Sequence, residues 1–287
     1  MEIAALVAEF DEQMRRHPAA EPGAHVEHSE HVTRVVAEGN GWSGVLWSDL
    51  SHGDAEETIA AEIERFSDRV QPWEWKYYSY DRPPDLPSKL QAAGFAPGAV
   101  EVVLVAEAAG LAIDSVIPTG IELVPVRDEL GVEALVRVHD EVFGGSHFAI
   151  GEAVLAGIAS QPQSVAAVVA MAEGRPISAG RVEFPKGRDF ATIWGGGTLP
   201  GWRGRGVFRS LVAYRAVLAR QRGYRYLQVD ASPESLPILL RLGFVEIAKT
   251  IPFLYEVSTI SWRNERAADQ VVRRVLVIDK PMSLPDA

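Results

Sequence analysis

Residues 195–209, GGGTLPGWRGRGVFR, constrain the fold more than any other segment of this chain. Six of the fifteen are glycine and three are arginine. The apolar run FATI precedes the segment, and the apolar-periodic run VFRSLVAYRAVLARQRG follows from it. A strand, a glycine-rich turn and a helix in this order leave unpaired backbone N–H groups at the start of the helix, where an anion binds well. The sequence therefore predicts an anion site near residue 206.

The helix that follows is predicted over residues 206–222. Its apolar face contains Val207, Leu211, Tyr214 and Leu218. Gly223 ends the helix. Because glycine has no Cβ, Gly204 and Gly206 would let a phosphate group approach the backbone closely. We therefore expect a phosphate or diphosphate ligand at this turn.

The charge distribution restricts such a site to this region. The chain carries a formal net charge of -11, so general affinity for nucleic acid is not expected. Residues 203–225 nevertheless contain seven arginines and no Asp or Glu. This positive segment in an acidic chain favours a local anion site.

Composition narrows the class of protein further. The 287 residues include no cysteine, which excludes disulfides, thiolate metal sites and a cysteine nucleophile. No apolar run reaches the roughly 18 residues of a membrane span, and the start of the sequence is acidic where a secretory signal is basic. We expect a cytoplasmic protein with no membrane partner. The length favours two domains.

The chain repeats one pattern of elements. Two segments have the composition of a strand, WEWKYYSYD near residue 75 and YRYLQVDAS near residue 226. Each is followed by a helix that begins with Leu-Pro, a Gly-Phe pair and another strand. A stretch of small residues at 106–120 favours a boundary there. We predict an α/β fold with mixed sheets, divided into domains 1–112 and 113–287, the latter with a C-terminal tail.

The absence of two common phosphate-binding motifs narrows the range of possible ligands. No GxxxxGK[ST] is present, and no GxGxxG follows a strand at the dinucleotide-binding spacing. Residues 203–208, RGRGVF, instead resemble the acetyl-CoA diphosphate loop of the GCN5-related N-acetyltransferases (GNATs). The strand TIWGGGT before it, and the basic helix, YLQVD, short helix and LGF after it, are similar to that family in order and spacing over residues 121–257.

This resemblance implies a tandem GNAT with a degenerate N-terminal copy, each domain having a mixed, mostly antiparallel sheet flanked by helices. It implies acetyl-CoA as acyl donor, with the diphosphate bound by the amides of the loop. Pantetheine and the thioester oxygen would bind at the splayed end of the preceding strand, near Gly197 or Thr198. Arg203 or Arg205 would contact a phosphate. The implied binding residues are Gly196, Gly197, Thr198, Arg203, Gly204, Arg205, Gly206, Val207, Phe208, Arg209 and Ser232. Ser232 stands where the family often has asparagine.

Two positions depart from the family pattern. Phe208 occupies a place usually taken by Gly or Ala and is expected to narrow the site. Leu239 occupies the place of a tyrosine that often protonates the leaving thiolate, and a leucine cannot donate a proton. Candidates for the proton-transfer roles are Glu183, His147 and Tyr255.

The expected function is acetyl transfer to a primary amine of a small molecule or peptide, by a monomer or homodimer. One alternative is a non-catalytic acyl-CoA-binding or sensor protein, which Leu239 favours; another is a tandem acetyltransferase like mycothiol synthase. The segment HVEHSEH spaces His25, His28 and His31 by three residues, but without cysteine or a helical apolar pattern we interpret it as a solvated loop rather than a metal site.

Overall fold

The computed structural model describes residues 2–20, 23–38, 41–50, 55–69, 71–111, 117–160 and 162–256. The helices are α1 Ile3–Phe10, α2 Ala55–Arg65, α3 Leu86–Ala92, α4 Glu129–Phe143, α5 Phe148–Ala159, α6 Val207–Gln221 and α7 Leu236–Arg241. The strands are β1 Ala24–His28, β2 Val32–Ala37, β3 Gly44–Ser48, β4 Trp73–Tyr78, β5 Ala96–Pro97, β6 Glu101–Glu107, β7 Ile121–Pro125, β8 Val165–Ala172, β9 Arg175–Glu183, β10 Phe190–Thr198, β11 Tyr226–Ala231 and β12 Val245–Tyr255.

The chain divides into two compact units whose segments alternate along the sequence. The first unit comprises Met1–Ile113, Glu183–Thr192 and Ala216–Ser261, and the second comprises Asp114–Val182, Ile193–Arg215 and Trp262–Ala287. Strand β10 and helix α6 therefore contribute residues to both units. The division into GNAT-like domains 1–112 and 113–287 stays a prediction.

The first unit has a mixed sheet in the order β1-β2-β3-β4-β12-β6-β11, with the first three residues of β10 beside β11. Its pairs are antiparallel except β3 with β4 and β10 with β11. Trp73 and Trp75 on β4 pack with Ile59 of α2 and Leu86 of α3. Leu6 and Phe10 of α1 pack with β6 and β11. Burial of these apolar faces holds the helices to the sheet.

The second unit is built on the strand order β10-β9-β8-β7. Alternate residues of β8 are buried in two separate cores, because successive side chains of a strand point to opposite faces. Ala167 and Val169 pack with α4 and α5, whereas Val168 and Ala170 pack with Val207 and Leu211 of α6. Helices therefore cover this sheet on both faces.

The predicted mixed α/β fold is confirmed. The helix expected at 206–222 is α6. The expected C-terminal tail lies outside the described residues.

One local prediction is wrong in part. Residues 25–28 of HVEHSEH lie in β1, which pairs with β2, and only residues 29–31 form the loop between the two strands. The residues of β1 are half-buried or exposed on both faces, so no apolar alternation marks the strand.

Candidate functional site

The turn that leads into α6 contains two glycines, Gly204 and Gly206, which we call the loop glycines. Their φ angles of +76° and +85° are in the left-handed region. A Cβ at Gly204 would have no atom within 4 Å, and one at Gly206 would meet only Pro118 Cγ, at 3.7 Å. The first turn of α6 contains no acidic residue. The backbone is thus open at the positive end of a helix, as an anion site requires.

Three exposed arginines surround the loop glycines. Arg203 Nε donates a hydrogen bond to Thr198 O at 3.0 Å, which ties the loop to the end of β10. The Arg205 guanidinium lies 4.8 Å from the centre of the Trp202 ring. Arg209 is exposed on the first turn of α6. These cations make the potential at the loop positive.

The glycine triplet, residues 195–197, is closely packed instead of open. A Cβ at Gly195 would lie 2.7 Å from His139 Cε1, one at Gly196 would lie 2.8 Å from Phe208 Cε2, and one at Gly197 would lie 3.0 Å from the Phe143 ring. Neighbouring side chains therefore already occupy the space that larger residues here would need. Packing within the protein explains the bare backbone of the triplet.

The Phe208 ring covers the α6-facing side of Gly196. The contact shows where the ring lies, and the narrowing of the CoA site by Phe208 stays a prediction. A ligand can approach this side of Gly196 only if the ring moves. The roles of Gly196, Gly197 and Thr198 in binding pantetheine stay predictions, as does the role of Val207, whose side chain is buried in the core beneath the loop.

Side chains hold the backbone carbonyls at the end of β10. Gly195 has a left-handed φ of +59°, so the strand bends there, and we call residues 194–197 the β10 bend. The carbonyls of Trp194, Gly195, Gly197 and Thr198 accept hydrogen bonds from Arg215, His139, Ser178 and Arg203, respectively. The Ser178 hydroxyl, 2.6 Å from Gly197 O, also lies 2.7 Å from Thr198 Oγ1. The backbone of this strand end is thus fixed by its surroundings.

His139 of α4 is buried against the bend, with Nε2 2.8 Å from Gly195 O. Burial and the nearby Arg181 cation lower the pKa of His139 to about 4. The imidazole is therefore neutral at pH 7, and Nε2 carries the proton because a carbonyl oxygen can only accept. Its Nδ1 makes no hydrogen bond within the part of the chain that the structure describes.

Arg215 of α6 approaches the bend from the opposite face and is 1% exposed. Its Nε donates to Leu211 O at 3.0 Å, and Nη1 donates to Arg181 O and Trp194 O at 3.3 and 3.4 Å. Burial and the Arg181 cation lower its pKa to about 9, so it remains charged at pH 7. The positive segment 203–225 is thus only partly a solvated surface.

Of the three proton-transfer candidates, His147 lies beside His139 and Phe143, two side chains that pack against the glycine triplet. His147 precedes α5 and is buried, and its ring lies 5.6 Å from that of His139 and 6.0 Å from that of Phe143. Asp140 Oδ1 accepts hydrogen bonds from the His147 backbone N at 2.7 Å and from Nδ1 at 2.9 Å. The Asp140 carboxylate therefore accepts the proton on Nδ1 and fixes the orientation of the ring.

The other expected site residues lie in the first unit. Glu183 Oε2 accepts a hydrogen bond from Thr192 Oγ1 at 3.5 Å. Tyr255 packs against Trp73 and Phe95, with ring centres 5.8 and 5.0 Å away. Ser232 begins the turn into α7, and its carbonyl accepts from Leu236 N at 2.9 Å. Their roles stay predictions.

The three histidines of HVEHSEH do not share a site in the structure. His25 pairs with Glu27 at 3.0 Å, and His28 Nδ1 lies 3.1 Å from Thr33 Oγ1. Nowhere in the described ranges do three His, Asp or Glu side chains lie close enough to hold a metal ion. Nor do those ranges contain a helix whose length and apolar character would let it cross a bilayer.

Comparison with solved structures gives matches along nearly the whole chain. A GCN5-related N-acetyltransferase from Kribbella flavida aligns with a TM-score of 0.64 and 15% identity, covering 93% of this chain and 96% of that one. One from Sphaerobacter thermophilus gives 0.59 and 16%, covering 81% and 82%. A tandem GNAT protein from the clavulanic acid biosynthesis pathway gives 0.56 and 13%, covering 90% and 96%.

The chain has the GNAT fold. No family model and no curated protein matches the sequence. The similarity therefore lies in the architecture, and the sequence resemblance at residues 203–208 has its structural counterpart in the open turn before α6.

The GNAT fold places the second unusual residue of the sequence in the core. Leu239, at the position of the family's frequent tyrosine, is fully buried in α7.

Sequence reasoning missed His139, Asp140, Ser178 and Arg215. One signal was available for Arg215, which lies four residues after Leu211 and eight after Val207, on the apolar face of the helix. A charged residue on the apolar face of a helix is directed at the core, where a buried charge needs hydrogen-bond partners. His139 also follows Val132 and Leu135 at helical spacing, but nothing in the sequence indicates that it bonds to Gly195.

Proposed function

We propose that this protein transfers an acetyl group from acetyl-CoA to a primary amine. The observation that carries the proposal is the open turn at Gly204 and Gly206, where left-handed backbone and empty space meet the N-terminus of a fifteen-residue helix within a GNAT fold. Amide groups there can donate hydrogen bonds to a diphosphate without obstruction by a Cβ. Three exposed arginines supply the countercharge.

His147 is the proposed general base, supported by its contact with Asp140. His147 Nε2 takes a proton from the nitrogen of the attacking amine as the N–C bond forms, and the Asp140 carboxylate stabilises the resulting imidazolium. As the C–S bond breaks, the same proton passes from His147 to the departing sulfur. One residue then fills both roles, which accounts for a leucine at position 239. Glu183 and Tyr255 remain the rival candidates.

A second candidate function is acyl-CoA binding without turnover. It is supported by the buried Leu239 and by the Phe208 ring against Gly196. In this case the open turn would bind the diphosphate, but no amine would be acetylated.

Titration with acetyl-CoA, followed by a thiol-release assay with a panel of primary amines, tests both candidates. The panel contains an arylethylamine, a polyamine, an amino sugar and a lysine peptide. The absence of cysteine means that released CoA is the only thiol in the assay. Binding with amine-dependent CoA release is expected. Binding without release favours the sensor, and failure to bind acetyl-CoA contradicts both.

Gly206→Glu tests the placement of the diphosphate, and Gly223→Glu is its matched control. Gly223 lies at the other end of α6, has a left-handed φ of +83° and would have no atom within 4 Å of a Cβ, against one Pro118 atom at 3.7 Å for Gly206. The two variants thus add the same charge and similar backbone strain. We expect Gly206→Glu to raise the Kd for acetyl-CoA at least about 100-fold by repulsion and occlusion, with little change for Gly223→Glu. Equal affinities would refute the placement.

A further inference from the structure

The end of β10 is held by side chains to an unusual degree. Side chains from two other segments donate hydrogen bonds to the peptide groups before and after Gly195. Arg215 Nη1 donates to Trp194 O, and His139 Nε2 donates to Gly195 O. The two side chains come from α6 and α4, on opposite faces of the strand. Together they hold two consecutive peptide groups.

Fixing a carbonyl also fixes the next amide, because the peptide group is planar and trans. The Gly195 carbonyl lies in the same plane as the Gly196 N–H and points the opposite way. The Trp194 carbonyl is related to the Gly195 N–H in the same manner. The two hydrogen bonds thus set the directions of both amide donors.

His139 makes this one hydrogen bond among the residues that the structure describes. Its Nδ1 is buried with no partner there. Burying an unsatisfied nitrogen is unfavourable, and a phenylalanine at this place would not incur that cost. The donor on Nε2 is the chemical property that distinguishes histidine from an apolar ring here.

Arg215 is accommodated by two glycines on adjacent strands. A Cβ at Gly180 would lie 2.8 Å from Nη1, and one at Gly196 would lie 3.4 Å from Nη2. The guanidinium has no ion pair within the described ranges, and its described partners are backbone carbonyls. Burying a charge without a counterion is unfavourable, so the hydrogen bonds to backbone carbonyls, including that to Trp194 O, are needed to stabilise the buried guanidinium.

We propose that His139 and Arg215 are positioning residues that hold the β10 bend so that one of its amides, Gly195 or Gly196, can bind the thioester oxygen. This inference rests on the proposed acetyl transfer. Donors fixed in advance stabilise the charge that develops on that oxygen more than mobile donors do. Loss of either side chain lowers kcat, while the diphosphate still binds at the loop glycines.

The test uses His139→Phe and Arg215→Met, which remove the donors, and His139→Gln and Arg215→Lys, which retain a donor. His25→Phe is the matched control, since His25 is 58% exposed in the first unit. Acetyl-CoA turnover with the best amine of the panel gives kcat and KM. Hydrogen exchange at the amides of residues 195–197, measured by NMR, reports on the bend without any substrate.

We expect His139→Phe and Arg215→Met to lower kcat about 10- to 100-fold, with KM for acetyl-CoA within about threefold. Exchange at the three glycines should be at least about tenfold faster, and the Gln and Lys variants should recover part of both losses. Unchanged kcat with folded variants, or a rise in KM alone, would overturn the positioning role.

The two proposals can fail separately. If the unaltered protein binds and turns over acetyl-CoA but the removal variants match it in kcat and exchange, only the positioning inference fails. If the unaltered protein does not bind acetyl-CoA, the proposed function fails and the catalytic part of the inference fails with it. Exchange in the same variants then still shows whether the two side chains hold the bend.

Discussion

The glycine triplet and the loop glycines lie within one run of fifteen residues and have opposite surroundings. At the triplet, a Cβ would lie 2.7 to 3.0 Å from His139, Phe208 or Phe143, closer than side chains pack. At Gly204 it would meet nothing within 4 Å. The first set of glycines makes room for the protein itself, whereas the second leaves room for a ligand.

Two properties of a glycine can indicate a binding site: a left-handed φ angle and empty space beside its backbone. A left-handed φ occurs at Gly195 and at both loop glycines, so backbone conformation alone does not distinguish the sets. The empty space around the backbone does. Only the loop glycines combine that space with a helix N-terminus, and substitutions at the two sets should therefore have different effects.

The largest expected effect on stability is that of Gly195→Ala. The added methyl would meet the buried His139 ring at 2.7 Å, and the left-handed φ is unfavourable for alanine. Overpacking and strain together should lower the free energy of unfolding by about 3–5 kcal/mol in urea denaturation. Gly174→Ala, at a φ of +73° with no atom near its Cβ, should lose only the strain component. Equal losses would show that the triplet is not tightly packed.

A pH-dependent loss of stability should accompany the packing of His139. Arg181, His147 and Asp140 are the ionisable groups that influence it, and its folded pKa of about 4 lies below the 6.5 of an unperturbed histidine. The unfolded chain therefore binds the proton first, and stability falls as pH falls from 6.5 to 4.

In urea unfolding, the protein should lose about 2 kcal/mol more than His139→Gln between pH 7 and pH 5. Glutamine keeps a donor for Gly195 O and does not titrate, so the other ionisable groups cancel in the difference. Parallel pH profiles of the two proteins would mean that His139 is not buried as a neutral ring.

The contact between Gly196 and Phe208 predicts coupling of about 1–2 kcal/mol in a double-mutant cycle. Gly196→Ala alone should be destabilising, since the methyl would lie 2.8 Å from the Phe208 ring. In combination with Phe208→Ala, the loss from the glycine change should largely disappear. If the effects of the two substitutions on the free energy of unfolding were additive, the Phe208 ring would not contact Gly196.

The smallest expected change in stability is that of Gly204→Ala, about 1 kcal/mol from backbone strain. Gly223→Ala should lose a similar amount. Only Gly204→Ala should raise the Kd for acetyl-CoA, by about tenfold, because its methyl would enter the space that we assign to the diphosphate. Calorimetric titration of both variants measures this, and equal affinities would remove the distinction between the two sets of glycines.

Much of the fold could be predicted from the sequence because apolar periodicity and glycine positions are local signals. Helix α6 is confirmed for that reason. Strand β1 was missed because its residues alternate between half-buried and exposed without an apolar face. The sequence also gives no sign that segments 183–192 and 216–261 cluster with the N-terminal residues.

The candidate site was predictable only in part. The open loop follows from the order of strand, glycines and helix, which is local. The packing of the triplet depends on His139 of α4 and Phe208 of α6, and the choice of His147 depends on its hydrogen bond to Asp140. Such contacts arise when separate helices meet the sheet, and spacing along the chain does not encode them.

The most direct test of the account is an experimental structure of the protein with CoA bound. We predict diphosphate oxygens within hydrogen-bonding distance of backbone amides in residues 204–209, and no phosphate contact at residues 195–197. A diphosphate bound to another part of the chain, or seated on the glycine triplet, would contradict the central claim that the loop glycines form the CoA site.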